Sequence, residues 1–180
     1  TRSGRAMIHL NVHSYFSLLR GVPGVEPLVE AAHRLKFDTL ALTDTNATYG
    51  AVAFQKAAQA AGIRPIFGAE VDDPATGEHG VLLARTLEGF GEVCRVVTER
   101  NLKKNFSLKK RLQNCNDQVI IMTPHLGIVE SVARIRGAAN LGIEHPLIGS
   151  VTDEIARWEF SRKHGIPLLA SNRAHFLEPQ

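Results

Sequence analysis

Short apolar runs alternate with segments of helical periodicity along almost the whole chain. Met7–Leu10 reads as a first strand, and Thr39–Thr43 (TLALT) is a continuous apolar run flanked by Asp38 and Asp44, as expected of a strand buried on both faces. Pro65–Glu70, Val81–Ala84, Gln118–Met122, Leu141–Glu144 and Pro167–Ala170 supply five further strand candidates. Helix-period segments lie between them. Leu28, Ala31, Ala32 and Leu35 recur at helical spacing after Pro23, and the alanine-rich Gly50–Ala61 stops at Gly62. Leu87–Glu99, Ile128–Ile135 and Asp153–Lys163 complete the set, the last ended by His164-Gly165. Strand and helix alternating in this way imply parallel strands joined by crossover helices. Seven units in 180 residues is tight, since an eight-unit barrel takes about 250. The pattern therefore predicts a small, distorted or incompletely closed barrel, with an open doubly wound sheet as the alternative.

Composition narrows the class. A length of 180 residues predicts one domain over 1–180, with Thr1–Ala6 (TRSGRA) either native or an appended tag and Met7 a candidate start. With 44% hydrophobic residues the chain can bury a substantial core, which excludes disorder. Lys and Arg total 21 against 18 Asp and Glu, an excess too small to argue nucleic-acid binding by itself. Cys94 falls in a predicted helix and Cys115 in a loop, with no CxxC spacing, so a disulfide framework and a zinc knuckle are excluded. A reducing cytoplasm is the expected location. No apolar stretch approaches the ~20 residues of a membrane span, so no membrane partner is expected. One stretch departs from the rest: Arg100–Arg111 (RNLKKNFSLKKR) carries six basic residues and no acid. Lys103, Lys104, Lys109, Lys110 and Arg111 are candidates for contact with DNA phosphates. The competing reading is a solvated face whose lysine stems cover Leu102, Phe106, Leu108 and Leu112.

The candidate chemistry sits at the strand ends. His13, Asp44, Glu70, Glu144 and His175 each lie at or just past the carboxyl end of a predicted strand, the face where α/β barrels place their chemistry, and His79 stands just before the fourth strand. Imidazoles and carboxylates converging on one rim are what a divalent or trinuclear metal site requires. Against this, Asp44-Thr45-Asn46 also reads as a turn and helix cap, and His33, His125 and His164 read as surface or packing residues.

At these residues the sequence resembles a known family. His9-Leu10-Asn11-Val12-His13-Ser14-Tyr15-Phe16-Ser17-Leu18-Leu19 looks like the first motif of the PHP (polymerase and histidinol phosphatase) domain of bacterial DNA polymerase III alpha subunits, replicative or error-prone. Ala41–Asn46 with Tyr49–Val52 resembles the second motif, and Gly62–Glu70 the third. His79 with Leu82-Leu83-Ala84 resembles the next, and Pro167–Asn172 with His175–Pro179 the closing one. The resemblance implies a distorted seven-unit, TIM-like (β/α) barrel and a metal set comprising His13, Asp44, Glu70, His79 and His175.

The chain departs from metal-competent members at three of these positions: Asn11 and Thr45 where they carry His, and Arg173 where they carry Asp. Asn and Thr are weaker donors than imidazole, and Asp→Arg changes the local charge by two units. The resemblance thus implies a degenerate, hydrolytically inactive rim in which Arg173 pairs with Asp44, Glu70 or Glu144. No cofactor is expected beyond a single, weakly held zinc or manganese ion. The implied role is a structural and docking module within a polymerase acting in replication or translesion synthesis. Its implied partners are the rest of that subunit, a proofreading exonuclease, and DNA reached through the polymerase. The alternative is a metal-dependent phosphoesterase, either a 3′–5′ exonuclease or a hydrolase of small phosphate esters, working with the reduced metal set.

Overall fold

The computed structural model describes residues 8–146, 150–171 and 174–175. Six strands form one curled sheet: β1 (Thr39–Leu42), β2 (Arg64–Asp72), β3 (His79–Ala84), β4 (Val119–Thr123), β5 (Leu141–Pro146) and β6 (Leu168–Ser171), paired in chain order. Six helices pack around it: α1 (Val25–Arg34), α2 (Ala51–Ala61), α3 (Leu87–Leu102), α4 (Leu108–Leu112), α5 (Leu126–Arg136) and α6 (Val151–His164). The α/β reading stands, with local corrections.

The strands are not uniformly parallel. β3 runs antiparallel to both β2 and β4, while β1–β2, β4–β5 and β5–β6 are parallel. The reason is the connection between β2 and β3, residues 73–78, which is too short for a crossover helix and long enough only for a hairpin. Asp73 builds that turn: its Oδ1 accepts from the backbone N–H groups of Ala75 and Thr76, and Gly77 takes a left-handed φ of 74°. Its other oxygen accepts from the N–H of Leu108, the first residue of α4. A cavity of about 540 Å³ lies open between α2 and α3, walled by Phe67 and Phe90.

The predicted first strand, Met7–Leu10, is not a strand among the described residues, and Met7 lies outside them. The chain here and just after makes isolated bridges instead, His9 to Leu40 of β1 and Val12 to Ala174. The backbone bonds alternate sides: Thr43 N–H donates to Val12 O at 2.9 Å, and His13 N–H donates to Ala174 O at 3.0 Å. Segment 9–13 therefore sits between β1 and the chain that follows β6.

Strand period sorts the apolar side chains into separate cores. Ala41, Val81, Leu83 and Met122 pack together on one face of the sheet with Ile66, Ile120 and Leu169. On the other face, Val71, Leu82, Ile121 and Ile143 pack with residues of α3 and α5, and Leu40 and Leu42 pack with residues of α1 and α2. α2 and α6 both end on glycines in left-handed conformation, Gly62 (φ 69°) and Gly165 (φ 66°), which closes each helix without a Cβ penalty.

Two glycines test this packing. A Cβ at Gly68 would lie 2.3 Å from the carbonyl oxygen of Leu82, on the paired strand, whereas one at Gly127 in α5 meets nothing within 4 Å. Gly68→Ala is expected to lower stability by about 1–3 kcal/mol through overpacking. Gly127→Ala should leave stability unchanged or raise it by up to about 1 kcal/mol. Urea denaturation measures both, and an unshifted midpoint for Gly68→Ala would contradict the β2–β3 pairing.

Candidate functional site

The reversed β3 has a direct consequence for the rim. His79 is the first residue of β3, and because that strand runs against its neighbours, its beginning lies where β2 and β4 end. His79 Nε2 stands 3.7 Å from Oε2 of Glu144, on β5. Both atoms are buried and have no hydrogen-bond partner among the described residues. On its other side, His79 Nδ1 lies 3.2 Å from Nε2 of His125. Burial pushes the His125 imidazole to a lower pKa than usual, and the neighbouring His79 adds to that. By sequence His125 reads as a surface or packing residue. It stands two residues past the end of β4, so the strand-end rule that marks Glu144 marks it as well.

Asn11 and His13 share one face of the bridging segment, as a period of two requires. The Asn11 amide donates from Nδ2 to Glu144 Oε1 at 3.0 Å and to Glu70 Oε2 at 3.3 Å. Both carboxylates are fully buried. His13 Nε2 lies 3.8 Å from Glu70, and its ring stacks on His175 with centroids 4.3 Å apart. Thr45 Oγ1 stands 3.3 Å from His13 Nδ1 and 3.4 Å from Glu70 Oε1. Burial opposes ionisation of Glu144, yet His79 together with hydrogen bonds from Asn11 and Ser171 holds its pKa below the ordinary carboxylate value.

Asp44 faces a different task. Its Oδ1 accepts from the Ser14 N–H at 2.6 Å and from Ser17 Oγ at 2.7 Å, and its Oδ2 accepts from Ser14 Oγ at 2.8 Å. The carboxylate ties the 14–17 turn to the end of β1, and Ser17 Oγ links it to His13 Nδ1 at 3.1 Å. Burial raises the Asp44 pKa, and these hydrogen bonds oppose the rise without cancelling it. The same turn delivers Arg20, a residue that strand-end reasoning missed. Arg20 Nη1 reaches Glu70 Oε1 at 3.4 Å and Nη2 lies 3.6 Å from Asp72 Oδ2. Arg100 holds the other Asp72 oxygen at 2.6 and 2.8 Å. A cleft of about 550 Å³ opens beside Arg20, Thr45, Tyr49 and Asp72.

The structure thus brings His13, Glu70 and His175 together, sets His79 beside Glu144, and joins Asp44 to them through Ser17. Arg173 lies outside the described residues, as do Asn172 and Phe176–Pro179 of the closing motif. The fit to a metal cluster is poor. Among the described residues no group of three or more His, Cys, Asp and Glu is arranged to hold an ion. Asp44 has both oxygens on Ser14 and Ser17, and Glu70 accepts from Asn11, Thr45 and Arg20.

The basic stretch falls on two elements. α3 ends at Leu102 and α4 begins at Leu108. Lys103 bonds Glu99 at 2.6 Å, and Arg111 bonds both Glu99 and Glu92 at 2.9 Å. Lys104, Lys109 and Lys110 remain exposed, while Phe106, Leu108 and Leu112 are buried beneath them.

Fold and rim together define an α/β protein with a curled sheet and a polar site at the carboxyl ends of its strands. The chain belongs to the PHP domain family, which matches residues 9–157. It is 30% identical over 97% of its length to the DNA polymerase III subunit alpha of Bacillus subtilis, and 30% identical over 99% to an error-prone DNA polymerase of Mycolicibacterium paratuberculosis. It spans only 18% and 20% of those two relatives. In fold it is similar to a two-domain protein of Bacteroides vulgatus containing a predicted PHP-like metal-dependent phosphoesterase, with a TM-score of 0.67 at 15% identity, covering 93% of this chain and 51% of that one. No helix among the described residues is long and apolar enough to cross a membrane.

Arg111 gives a prediction with a pH signature. Burial opposes ionisation of Glu92, but hydrogen bonds from Arg111 and Arg95 hold its pKa below the ordinary 4.5. A carboxylate with a depressed folded-state pKa stabilises the fold above its unfolded value and loses that contribution as pH falls. Arg111→Ala is expected to cost about 1–3 kcal/mol at neutral pH by leaving one oxygen of the buried Glu92 without its donor, Arg95 still bonding the other at 2.8 Å. The gap from wild type should narrow below pH 4.5. Denaturation curves at neutral and acid pH check this, and a gap independent of pH would assign the loss to packing instead.

Proposed function

We propose that this PHP domain is part of a bacterial DNA polymerase III alpha subunit, replicative or error-prone, and serves there as a non-catalytic structural and docking module. The observation that carries the reading is the Asn11 amide donating to both Glu70 and Glu144. A divalent ion between these carboxylates would meet two N–H donors of a neutral amide, where a metal needs lone pairs. His13, Asp44, Glu70, His79 and His175 are on this reading a vestigial metal set, with Asn11, Thr45 and Arg173 as the departures. The domain holds no cofactor, or at most one weakly bound zinc or manganese ion. Similarity to DNA polymerase III alpha subunits and error-prone polymerases supports the assignment to replication or repair synthesis in the cytoplasm. The partners are the rest of the polymerase, a proofreading exonuclease subunit, and DNA through the polymerase, with Lys103, Lys104, Lys109 and Lys110 the exposed candidates for phosphate contact. We also read the fold as a distorted seven-position barrel, in which segment 9–13 takes the place of a strand. Its bridges to Leu40 and Ala174 support that architecture.

The test is elemental analysis beside phosphodiester hydrolysis with manganese or zinc. The unmodified chain should carry little metal and show no turnover, because a lone ion lacks the two-metal clamp on attacking and leaving oxygens. Restoring Asn11→His, Thr45→His and Arg173→Asp together should raise metal stoichiometry, with any hydrolysis appearing only then. Near-stoichiometric metal and robust turnover in the unmodified chain would overturn the inert reading in favour of a metal-dependent phosphoesterase.

A further inference from the structure

We infer that the cleft at the amino end of β2 is a docking site for an acidic, apolar segment of a partner protein, which inserts a bulky apolar side chain and sets carboxylates against Arg64 and Arg85. The inference rests on the docking reading above and deepens it, by assigning the surface and the chemistry of the partner. The cleft exists because the sheet parts there. β2 pairs with β1 through Arg64–Phe67, and with β3 only from Gly68 onward, where Gly68 stands opposite Leu83. Towards the amino end the start of β2 and the chain leaving β3 separate. The cavity of about 540 Å³ between α2 and α3 is lined there by Ile66 and Phe67 of β2 and by Leu87 and Phe90 of α3. Phe67 and Phe90 meet edge to face with centroids 5.7 Å apart, and both are only half-buried. At the lips Val52 on α2 is 66% exposed and Leu87 86% exposed. Exposed aliphatic residues are ordinary when scattered, but here two of them border one apolar cavity.

Charge selects the occupant. Arg64 and Arg85 line the cleft and no acid does. Arg64 has no ion-pair partner among the described residues, and the Arg85 guanidinium bonds the neutral side-chain oxygen of Asn140 at 3.2 Å. Glu88, the acid nearest in sequence, turns to Asn116 instead. Elsewhere Arg95, Arg100, Arg111, Arg134 and Arg136 each hold an acid. α3 begins at Leu87, so the positive end of its peptide dipoles adds to the potential at the mouth. Uncommitted arginines around an aromatic floor are the composition of protein-recognition hot spots. Strand addition is disfavoured as the mode of binding. The Arg64 N–H donates to Asp38 O at 2.8 Å, so by alternation Pro65 turns its nitrogen to the other side, where it has no N–H to offer. A nucleic-acid strand would satisfy the arginines with phosphates but would leave the aliphatic surface of Val52 and Leu87 uncovered. An acidic segment with a bulky apolar side chain satisfies both.

The experiment titrates the ¹⁵N-labelled chain with a capped peptide Glu-Leu-Phe-Glu-Glu, with its counterpart Lys-Leu-Phe-Lys-Lys and with an oligothymidylate, following amide shifts by NMR. The acidic peptide is expected to shift the signals of Phe67, Arg85 and Phe90 saturably, with a Kd of about 100 µM or tighter. The signals of His79 and Glu144, at the other end of the sheet, should stay in place. The lysine peptide should bind at least about tenfold more weakly, and the double variant Arg64→Glu/Arg85→Glu should reverse that preference. Leu87→Gln should weaken the acidic peptide by about fivefold through lost apolar contact. Arg64, Arg85 and Leu87 are exposed, so these variants should keep the Tm of the unmodified chain. If the double variant does not fold, Leu87→Gln and the lysine peptide on the unmodified chain decide. Equal binding of the two peptides, shifts confined to other surfaces, or no shift at millimolar peptide would overturn the inference. So would an oligothymidylate that moves the same signals at lower concentration than the acidic peptide. The non-catalytic reading above fails on metal content and turnover, which these titrations do not measure, so the two failures are told apart.

Discussion

Two fully buried carboxylates, on β2 and β5 of one curled sheet, set the terms for everything at the rim. Glu70 and Glu144 share a donor in the Asn11 amide, which places their accepting oxygens within about 6 Å of each other. At that separation two like charges repel by about 3 kcal/mol at an effective dielectric near 20, before any cost of taking them out of water. Such a pair persists only if donors and cations surround it. In this chain they come from the protein: Asn11 between the two acids, His79 beside Glu144, and His13, Thr45 and Arg20 around Glu70.

Each of those groups is delivered by a different backbone device. Asn11 and His13 ride on a segment that hydrogen-bonds β1 on one side and Ala174 on the other, so its alternate side chains are aimed inward. Arg20 arrives on a turn fastened by Asp44. His79 reaches the rim because β3 is reversed, and β3 is reversed because six residues cannot carry a crossover helix. The compensation of buried charge is therefore a property of the fold's connections as much as of its residue types.

Membership of the PHP family and similarity to DNA polymerase III alpha subunits place this chemistry in context. A rim that gathers metal-ligand residue types can be kept for two ends, to hold ions or to hold the sheet together. Here the acids are linked to side chains from the bridging segment, the 14–20 turn, Thr45 just past β1, and the strands β3 and β6. Removing any one of those partners leaves a buried acid short of a donor, which is among the most destabilising changes available to a folded chain.

The strands β1, β2, β4, β5 and β6 and the helices α2, α3, α5 and α6 were legible in the residues, because apolar period and glycine stops are local signals. So were the polar positions at strand ends, including Glu70, Glu144 and His79. The antiparallel β3 was written in the short Asp73–Glu78 connection, but the strong strand–helix rhythm on either side concealed it. The first strand was misread because an apolar tetrad announces extended chain without saying whether a full ladder forms. Arg20, Ser14 and Ser17 could not be found from strand ends, since they lie in a turn whose fold depends on the Asp44 carboxylate, 27 residues beyond Ser17. The same holds for the acid partners of Arg111, whereas Lys103 and Glu99 stand at the local i, i+4 spacing. Sequence by itself determined which elements form and which residue types line the rim. Only the tertiary structure decided which acid meets which donor, because those pairings span up to 133 residues between Asn11 and Glu144 and are set by the curl of the sheet.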